Sequence, residues 1–446
     1  MRIAVIGVGY VGLISGVCLA LRGHDVTGVD LSAEVVESLN AGRPHIYERH
    51  LDDLLRSVLA DRRFRATTTL AEAVASAEVI IIAVGTPSVD GAIDLRYVRE
   101  CAAQIGQSLG TDGQHRSVVI KSTVLPGTTD GAVRRALETA SGLQLGQYGL
   151  GMNPEFLREG EAIDDFMNPD RIVLGYEDER TRGRLQDVYA TWSCDKLEVN
   201  TRTAELIKYA NNAMLATLIS TMNEIANLAS ALGGVDAMDV VRGVQLDARW
   251  SPVIDGRRIS PEIVRYLVPG CGFGGSCFPK DVRALCTQGE SLRLPMAVLN
   301  AVLDVNETQP QQVVDILGRE CPRLSTSTSL VLGLAFKPGT DDVRESASLK
   351  IVQSLAGAAR SVAVHDPVAA ANFRRALGDV GQRVTFVEDW RAVAAKSDVI
   401  VVATAWEEYR ELALLDLTGK VVVDARRLFR PSELVGARYL SIGRRL

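Results

Sequence analysis

The chain has 446 residues, 47% of them hydrophobic and 23% charged, with a formal net charge of −6. That length exceeds one compact core and predicts two or three domains, and the acidic balance excludes the basic surface that drives non-specific nucleic-acid binding. Seven scattered cysteines without a C-x-x-C pair, and five histidines without an H-E-x-x-H, predict reduced thiols and no metal site.

The N-terminus enters a strand pattern at once, with no signal-peptide pattern, and no apolar run approaches a membrane span, so a cytoplasmic protein without a membrane partner is expected. Through the first third, "RIAVIGVG", "HDVTGVD", "EVIIIAVGTP", "SVVIKSTV" and "YGLGMNPE" alternate with helical segments. Continuous hydrophobicity suits strands covered on both faces, so residues 1–200 are predicted to form a doubly wound parallel sheet. Its first turn, "GVGYVG", sets Gly7, Gly9 and Gly12 in G-x-G-x-x-G spacing between a strand and a helix. The glycines permit the turn, the approach of a pyrophosphate and close helix packing, and the helix N-terminus adds positive dipole. Asp30, ending the next strand, suits the adenosine ribose hydroxyls and repels a 2′-phosphate, which favours NAD over NADP. "VGTP" and "STVLPGT" also follow strands and fall on the ligand-binding edge of such a sheet, although helix capping by Ser122 would account for part of the pattern.

From Thr201 to Leu232 the chain contains neither Gly nor Pro and predicts one long helix, whose length and apolar content also suit a dimer interface. Lys208 and Asn212 share a face of it and Asn223 lies near the same face. Polar groups there need partners or a ligand if buried; otherwise they face water. Farther on, "GFGGSCFPKD" surrounds Cys277 with glycines, Lys280 and Asp281. A free cysteine is by default a small buried hydrophobe, but these neighbours leave room for a substrate and add a polar, positive flank. Cys271 lacks that flank and is predicted to pack. The βα rhythm returns with "SLVLGLAFKPG", "RSVAVHDP", "QRVTFVED", "SDVIVVATAWEE" and "GKVVVDARR", so a largely helical middle region, residues 201–324, gives way to a second α/β domain over 325–446.

Together, "GVGYVG" with Asp30, "VGTP", "STVLPGTT", "NPEFLREGEAIDDFMNPDRIVLG", "AELIKYANNA", "GFGGSCFPKD" and "GLAFKPGTDDVRES" resemble the nucleotide-sugar dehydrogenases that oxidise a C6 alcohol to a carboxylate, the family of UDP-glucose 6-dehydrogenase and GDP-mannose dehydrogenase. The resemblance covers nearly the whole chain. It implies an α/β fold of two Rossmann-like doubly wound domains joined by a long central helix and a helical middle domain, with NAD as cofactor, a nucleotide-diphosphate sugar as substrate and a homodimer as the assembly. It implies that Cys277 is the nucleophile, Lys208 stabilises the oxyanion with Asn212 beside it, Asp281 positions water, Glu155 serves thioester hydrolysis, and Thr123 joins the same site.

For the cofactor the resemblance implies Gly7, Gly9, Tyr10, Val11, Gly12 and Asp30, with Thr86, Thr123, Glu159, Lys280 and Arg344. For the sugar nucleotide it implies the run Glu155, Phe156, Leu157, Arg158 and Glu159, then Lys208, Asn212 and Asn223. The loop residues Tyr266, Gly270, Gly272 and Phe273 follow, with Lys337 and Arg427 from the second α/β domain. Val35 departs from the family, which often has a basic residue there. "DARWSPVIDGRRISPEIVRY" is longer than in simple members, so the arginine that reaches the partner subunit's site is either Arg249 or Arg265. Val268 stands where the GDP-mannose branch has arginine, which favours UDP-glucose. TDP-glucose and a UDP-N-acetylhexosamine stay open as substrates. Outside this class stand a one-hydride β-hydroxyacid dehydrogenase and a non-catalytic NAD- or nucleotide-sugar-binding regulator.

Overall fold

The computed structural model describes residues 1–89, 91–110 and 113–445. The chain divides into two units, Met1–Asn211 and Asn212–Leu446. The first is built on eight strands: β1 (Arg2–Ile6), β2 (Asp25–Val29), β3 (Phe64–Thr67), β4 (Val79–Ile82), β5 (Ser117–Ile120), β6 (Gly149–Met152), β7 (Arg171–Tyr176) and β8 (Asp195–Val199). They lie in the order β8-β7-β6-β5-β4-β1-β2-β3, all parallel to their neighbours except β6 against β7. From β3 to β6 this is the doubly wound 3-2-1-4-5-6 order, whose ligand crevice opens at the carboxyl ends of β1 and β4. Along β1, Ile3 and Val5 join one apolar cluster while Ala4 and Ile6 join another, so both faces are covered by helices, as continuous hydrophobicity predicts.

The second unit repeats the plan. Its strands are β9 (Val235–Asp236), β10 (Thr328–Leu332), β11 (Ser361–His365), β12 (Val384–Phe386), β13 (Val399–Val402), β14 (Val421–Asp424), β15 (Arg438–Ser441) and β16 (Arg444–Arg445). Their order, β9-β16-β15-β14-β13-β10-β11-β12, contains the same 3-2-1-4-5-6 series, extended by the short antiparallel β16 and β9. Again the faces alternate: Leu330 and Leu332 pack on one side, Val331 on the other. The long helix spans Thr201–Leu232 and runs across the boundary between the units. Helices Ala237–Gln245, Phe278–Ser291 and Ala297–Glu320 complete the middle of the chain. No helix among the described residues is long and apolar enough to cross a membrane.

Candidate active site

At the end of β1, Gly7 takes φ +88° and its amide donates to Val29 O at 2.8 Å, which starts the turn. A Cβ on Gly12 would lie 1.8 Å from Gly7 O, so only glycine lets the helix Tyr10–Leu21 sit this close to the strand. Gly9 differs: a Cβ there would meet nothing within 4 Å, and no side chain caps the helix that follows. The turn therefore offers open space in front of free helix amides, a cradle that fits a pyrophosphate. Asp30 sits half-buried beside it and accepts from Ser32 N at 3.0 Å and, more weakly, Val8 N at 3.4 Å, which leaves acceptor capacity for ribose hydroxyls. These residues fit NAD. Val11 and Thr86 are likewise half-buried near the turn and after β4.

The same unit holds a buried acid–base pair. Glu155, 7% exposed, places Oε1 2.9 Å from Lys208 Nζ and accepts from Leu157 N at 2.6 Å. Burial alone would raise the Glu155 pKa, but Lys208 and the Leu157 amide overcome it and hold the carboxyl below its ordinary range. Phe156 lies under both Lys208 Nζ, 5.6 Å from its ring centre, and Arg171, at 4.0 Å. Arg158 pairs with Asp165 at 2.7 Å, and Glu161 at 2.9 Å, and so braces the loop. Half-buried Thr123 follows β5, next to Ser122, whose hydroxyl donates to Val84 O at 2.7 Å and ties the two strand-end loops together rather than capping a helix. One residue escaped the sequence reading: Lys121, buried, donates to Asn153 Oδ1 at 2.8 Å. Burial, helped by Lys208 and opposed by Glu155, pushes it down to about 8. A lysine ending the apolar run "SVVI" was the available signal.

In the second unit, Cys277 is the N-cap of helix Phe278–Ser291, with its sulfur 3.5 Å from Ser276 Oγ. Negative charge forming near the sulfur would lie at the positive end of that helix's dipole. One turn on, Asp281 is 1% exposed and accepts from Asn212 Nδ2 and from Lys280 Nζ, both at 2.7 Å. The preceding loop is clamped from several sides. Asn223 Oδ1 accepts from Gly270 N at 2.9 Å, Gln309 donates to Gly270 O at 2.9 Å, and Asn306 both accepts from Phe273 N at 2.8 Å and donates to its carbonyl at 3.0 Å. Gly272 takes φ +97°, and its carbonyl accepts from Arg426 Nη1 at 2.8 Å. Gly275 N donates to Arg344 O at 2.8 Å, while the Arg344 side chain pairs with Asp342 at 2.8 Å. Tyr266 packs its ring 6.4 Å from Phe278, and Lys337 Nζ lies 5.8 Å from the Phe336 ring. Cys271 is fully buried, as expected of a cysteine without that polar flank.

Three arginines stand apart from these clusters. Arg249 and Arg265 are exposed and pair with their neighbours Asp247, at 2.6 Å, and Glu262, at 3.7 Å. Arg427 has a side chain only 4% exposed, 3.1 Å from Asp236, and donates to Ile442 O at 2.6 Å, so it is held in the wall of its own domain. Its neighbour Arg426 is the one that reaches the thiol loop, a difference that two adjacent arginines in "DARR" do not reveal.

A 3-2-1-4-5-6 sheet with an open glycine turn and a half-buried carboxylate after β2 defines the NAD-dependent dehydrogenase class. Residues 1–193 match the NAD binding domain, 202–308 the central domain and 330–431 the UDP binding domain of the UDP-glucose/GDP-mannose dehydrogenase family, and the chain belongs to that family. It is 38% identical over 440 residues to UDP-glucose 6-dehydrogenase AglM of Haloferax volcanii, covering 96% of this chain and 97% of that one. It is 36% identical over 438 residues to GDP-mannose 6-dehydrogenase of Pseudomonas syringae pv. tomato, covering 95% of each. Among solved structures, a UDP-glucose dehydrogenase from Pyrobaculum islandicum superposes with a TM-score of 0.89 at 44% identity, covering 99% of this chain and 97% of that one. The chain is thus an NAD-dependent nucleotide-sugar dehydrogenase.

Proposed function

We propose that the protein oxidises UDP-glucose at C6 to UDP-glucuronate, consuming two NAD+ and one water per sugar, and that Cys277 makes the four-electron outcome possible. The observation that carries this reading is the thiol loop: Cys277 at a helix N-terminus with Asp281, Asn212 and Lys280 joined by 2.7 Å hydrogen bonds one turn away. NAD, when bound at the glycine turn, supplies the hydride acceptor for each of the two oxidations. In the first, the C6 hydroxyl releases its proton to water and the C6 carbon gives up a hydride, leaving an aldehyde. The Cys277 thiolate then forms a C–S bond to the aldehyde carbon, and the oxygen that gains the electron pair is stabilised by Lys208 and Asn212. Loss of the second hydride leaves a thioester. Water oriented by Asp281, its proton taken by Glu155 or Asp281, attacks the carbonyl, the C–S bond breaks, and the thiolate is regenerated as the carboxylate leaves. Lys208 keeps Glu155 ionised and so able to accept a proton, while the same ion pair makes it a weaker base than an ordinary carboxylate. Thr123, on the loop after β5, is assigned to the same site by the family resemblance.

We assign residues 1–200 to the cofactor domain, 201–324 to the middle domain and 325–446 to the nucleotide-sugar domain, in a cytoplasmic homodimer. Exposed Met214, Leu228 and Leu232 on the long helix support a face covered by a second copy, to whose site Arg249 or Arg265 contributes. Val268 before "PG", where the GDP-mannose branch has arginine, counts against guanosine.

Limiting UDP-glucose is expected to yield two NADH and a uronic acid, measured by absorbance and product mass, with TDP-glucose, GDP-mannose and UDP-N-acetylhexosamines run alongside. One NADH per sugar would instead identify a simple alcohol dehydrogenase, and no turnover with any of the four would exclude all of these substrates.

A further inference from the structure

The carboxylate of Glu48 lies in the irregular segment between helices Ala33–Asn40 and Leu51–Ala60 and is 5% exposed. It does not stabilise its own segment. Instead it accepts a short hydrogen bond from the phenol of Tyr10, the first residue of the helix after the glycine turn, and bonds from Gly160 N at 2.8 Å and Ala162 N at 3.1 Å. Gly160 N also approaches Tyr10 Oη at 3.1 Å, so tyrosine, carboxylate and loop amides form one closed cluster. Gly160, at φ +85°, ends the "NPEFLREG" run that carries Glu155 and Glu159. A buried carboxyl acceptor is costly to leave half-satisfied. Burial and then Glu48 itself push the Tyr10 phenol well above its ordinary range, so it stays a donor at every working pH.

We infer that Glu48 is a positioning residue that ties the cofactor turn, through Tyr10, to the loop bearing Glu155 and Glu159, so that the two parts of the site keep one geometry. This rests on the reading above, in which the turn holds NAD and the loop serves thioester hydrolysis. A purely structural anchor would lower stability alone. A positioning residue ties the loss to both halves of the catalytic cycle, because misplacement by about 1 Å costs on the order of a hundredfold in rate.

The test is a double-mutant cycle of Glu48→Gln and Tyr10→Phe, read by kcat, KM for NAD+ and hydrogen exchange at the Gly160 and Ala162 amides. Each single variant is expected to lower kcat/KM for NAD+ about tenfold and to speed exchange at both amides, while the double variant is at most about twofold worse than either, because one cluster has been broken only once. An additive loss of about a hundredfold in the double variant, or unchanged exchange in the singles, overturns the inference. If Glu48→Gln does not fold, Tyr10→Phe alone decides by whether exchange at Gly160 and Ala162 rises. Failure of wild-type enzyme to make two NADH from UDP-glucose would strike the functional reading, whereas a normal yield with an additive cycle would strike only the role of Glu48.

Discussion

The two sheets share a strand order, and they also share a turn. After β1, Gly7 at φ +88° donates to Val29 O at 2.8 Å and presses against Ala83; after β10, Gly333 at φ +92° donates to His365 O at 2.9 Å and presses against Thr404. Each is followed, at the end of the next strand, by an aspartate: Asp30 after β2 and Asp366 after β11. The two carboxylates are used in opposite ways. Asp30 accepts two backbone amides, one of them at 3.4 Å, and stays half-buried. Asp366 is 5% exposed, and its oxygens are filled by Leu334 N, Ala335 N, Val368 N, Ala369 N and Trp406 Nε1 at 2.8–3.1 Å. The amides that directly follow Gly333, Leu334 N and Ala335 N, are therefore already bound to the carboxylate. One topology serves as a dinucleotide reader when its turn is left open and as a locked scaffold when its own carboxylate closes it.

The largest expected effect tests the division of labour between the units. Cys277→Ser should cut NADH production on the order of a thousandfold or more while leaving NAD affinity within about twofold. Fluorescence titration and progress curves measure the two; full turnover would remove the thiol from the mechanism. The paired aspartates come next. Asp366→Ala strands five donors, four of them buried, and should cost about 3 kcal/mol of stability, seen as a lower midpoint in urea. Asp30→Ala should leave that midpoint nearly unchanged and weaken NAD binding about tenfold. Reversed outcomes would mean that the second turn, not the first, reads the cofactor.

Much of this was legible in the sequence because it depends on short-range pattern. The glycine spacing, the Val- and Ile-rich strands and the Gly- and Pro-free helix Thr201–Leu232 each carry their reason within a few residues. Strand β8, "DKLEV", was not legible, because an edge strand with polar alternation lacks the apolar run that marks β1 or β4. The site was readable as residue types but not as pairings. Lys121 meets Asn153 across 32 positions and Glu48 meets Gly160 across 112, contacts that only the packed sheet creates. Adjacent Arg426 and Arg427 point one to Gly272 O and the other to Asp236, a choice made by the backbone at Arg427, φ +55°, and not by composition.

A smaller effect distinguishes a two-donor carboxylate from the five-donor Asp366. Glu205, fully buried on the long helix, accepts from Gly127 N at 2.6 Å and Thr129 N at 2.8 Å. Burial pushes its pKa up to about 7, against those two bonds and with Asp130 adding to the rise. A folded-state pKa above the unfolded value means stability that is present below the ordinary carboxylate pKa and lost as pH rises through about 7. Wild-type stability relative to Glu205→Gln should therefore fall by about 2 kcal/mol between pH 5 and pH 8, read from urea midpoints across that range. A difference that stays flat with pH would show that the two amides outweigh burial.

The smallest effect is the sharpest test of the open turn. Gly9 has φ −65°, ordinary for alanine, and a Cβ there would meet nothing within 4 Å. Gly9→Ala should therefore leave thermal stability unchanged or slightly higher, since restricting the unfolded chain at a compatible position contributes about 0.4–1 kcal/mol. Gly333→Ala offers no such room, because its Cβ would lie 2.4 Å from Thr404 Cβ at φ +92°. If the empty space before Gly9 is where a pyrophosphate meets the helix amides, the added methyl should weaken NAD binding about tenfold with no structural cost. Undiminished NAD affinity in a stable Gly9→Ala protein would mean that the opening is not the cofactor's approach, and the contrast between the two turns would lose its functional meaning.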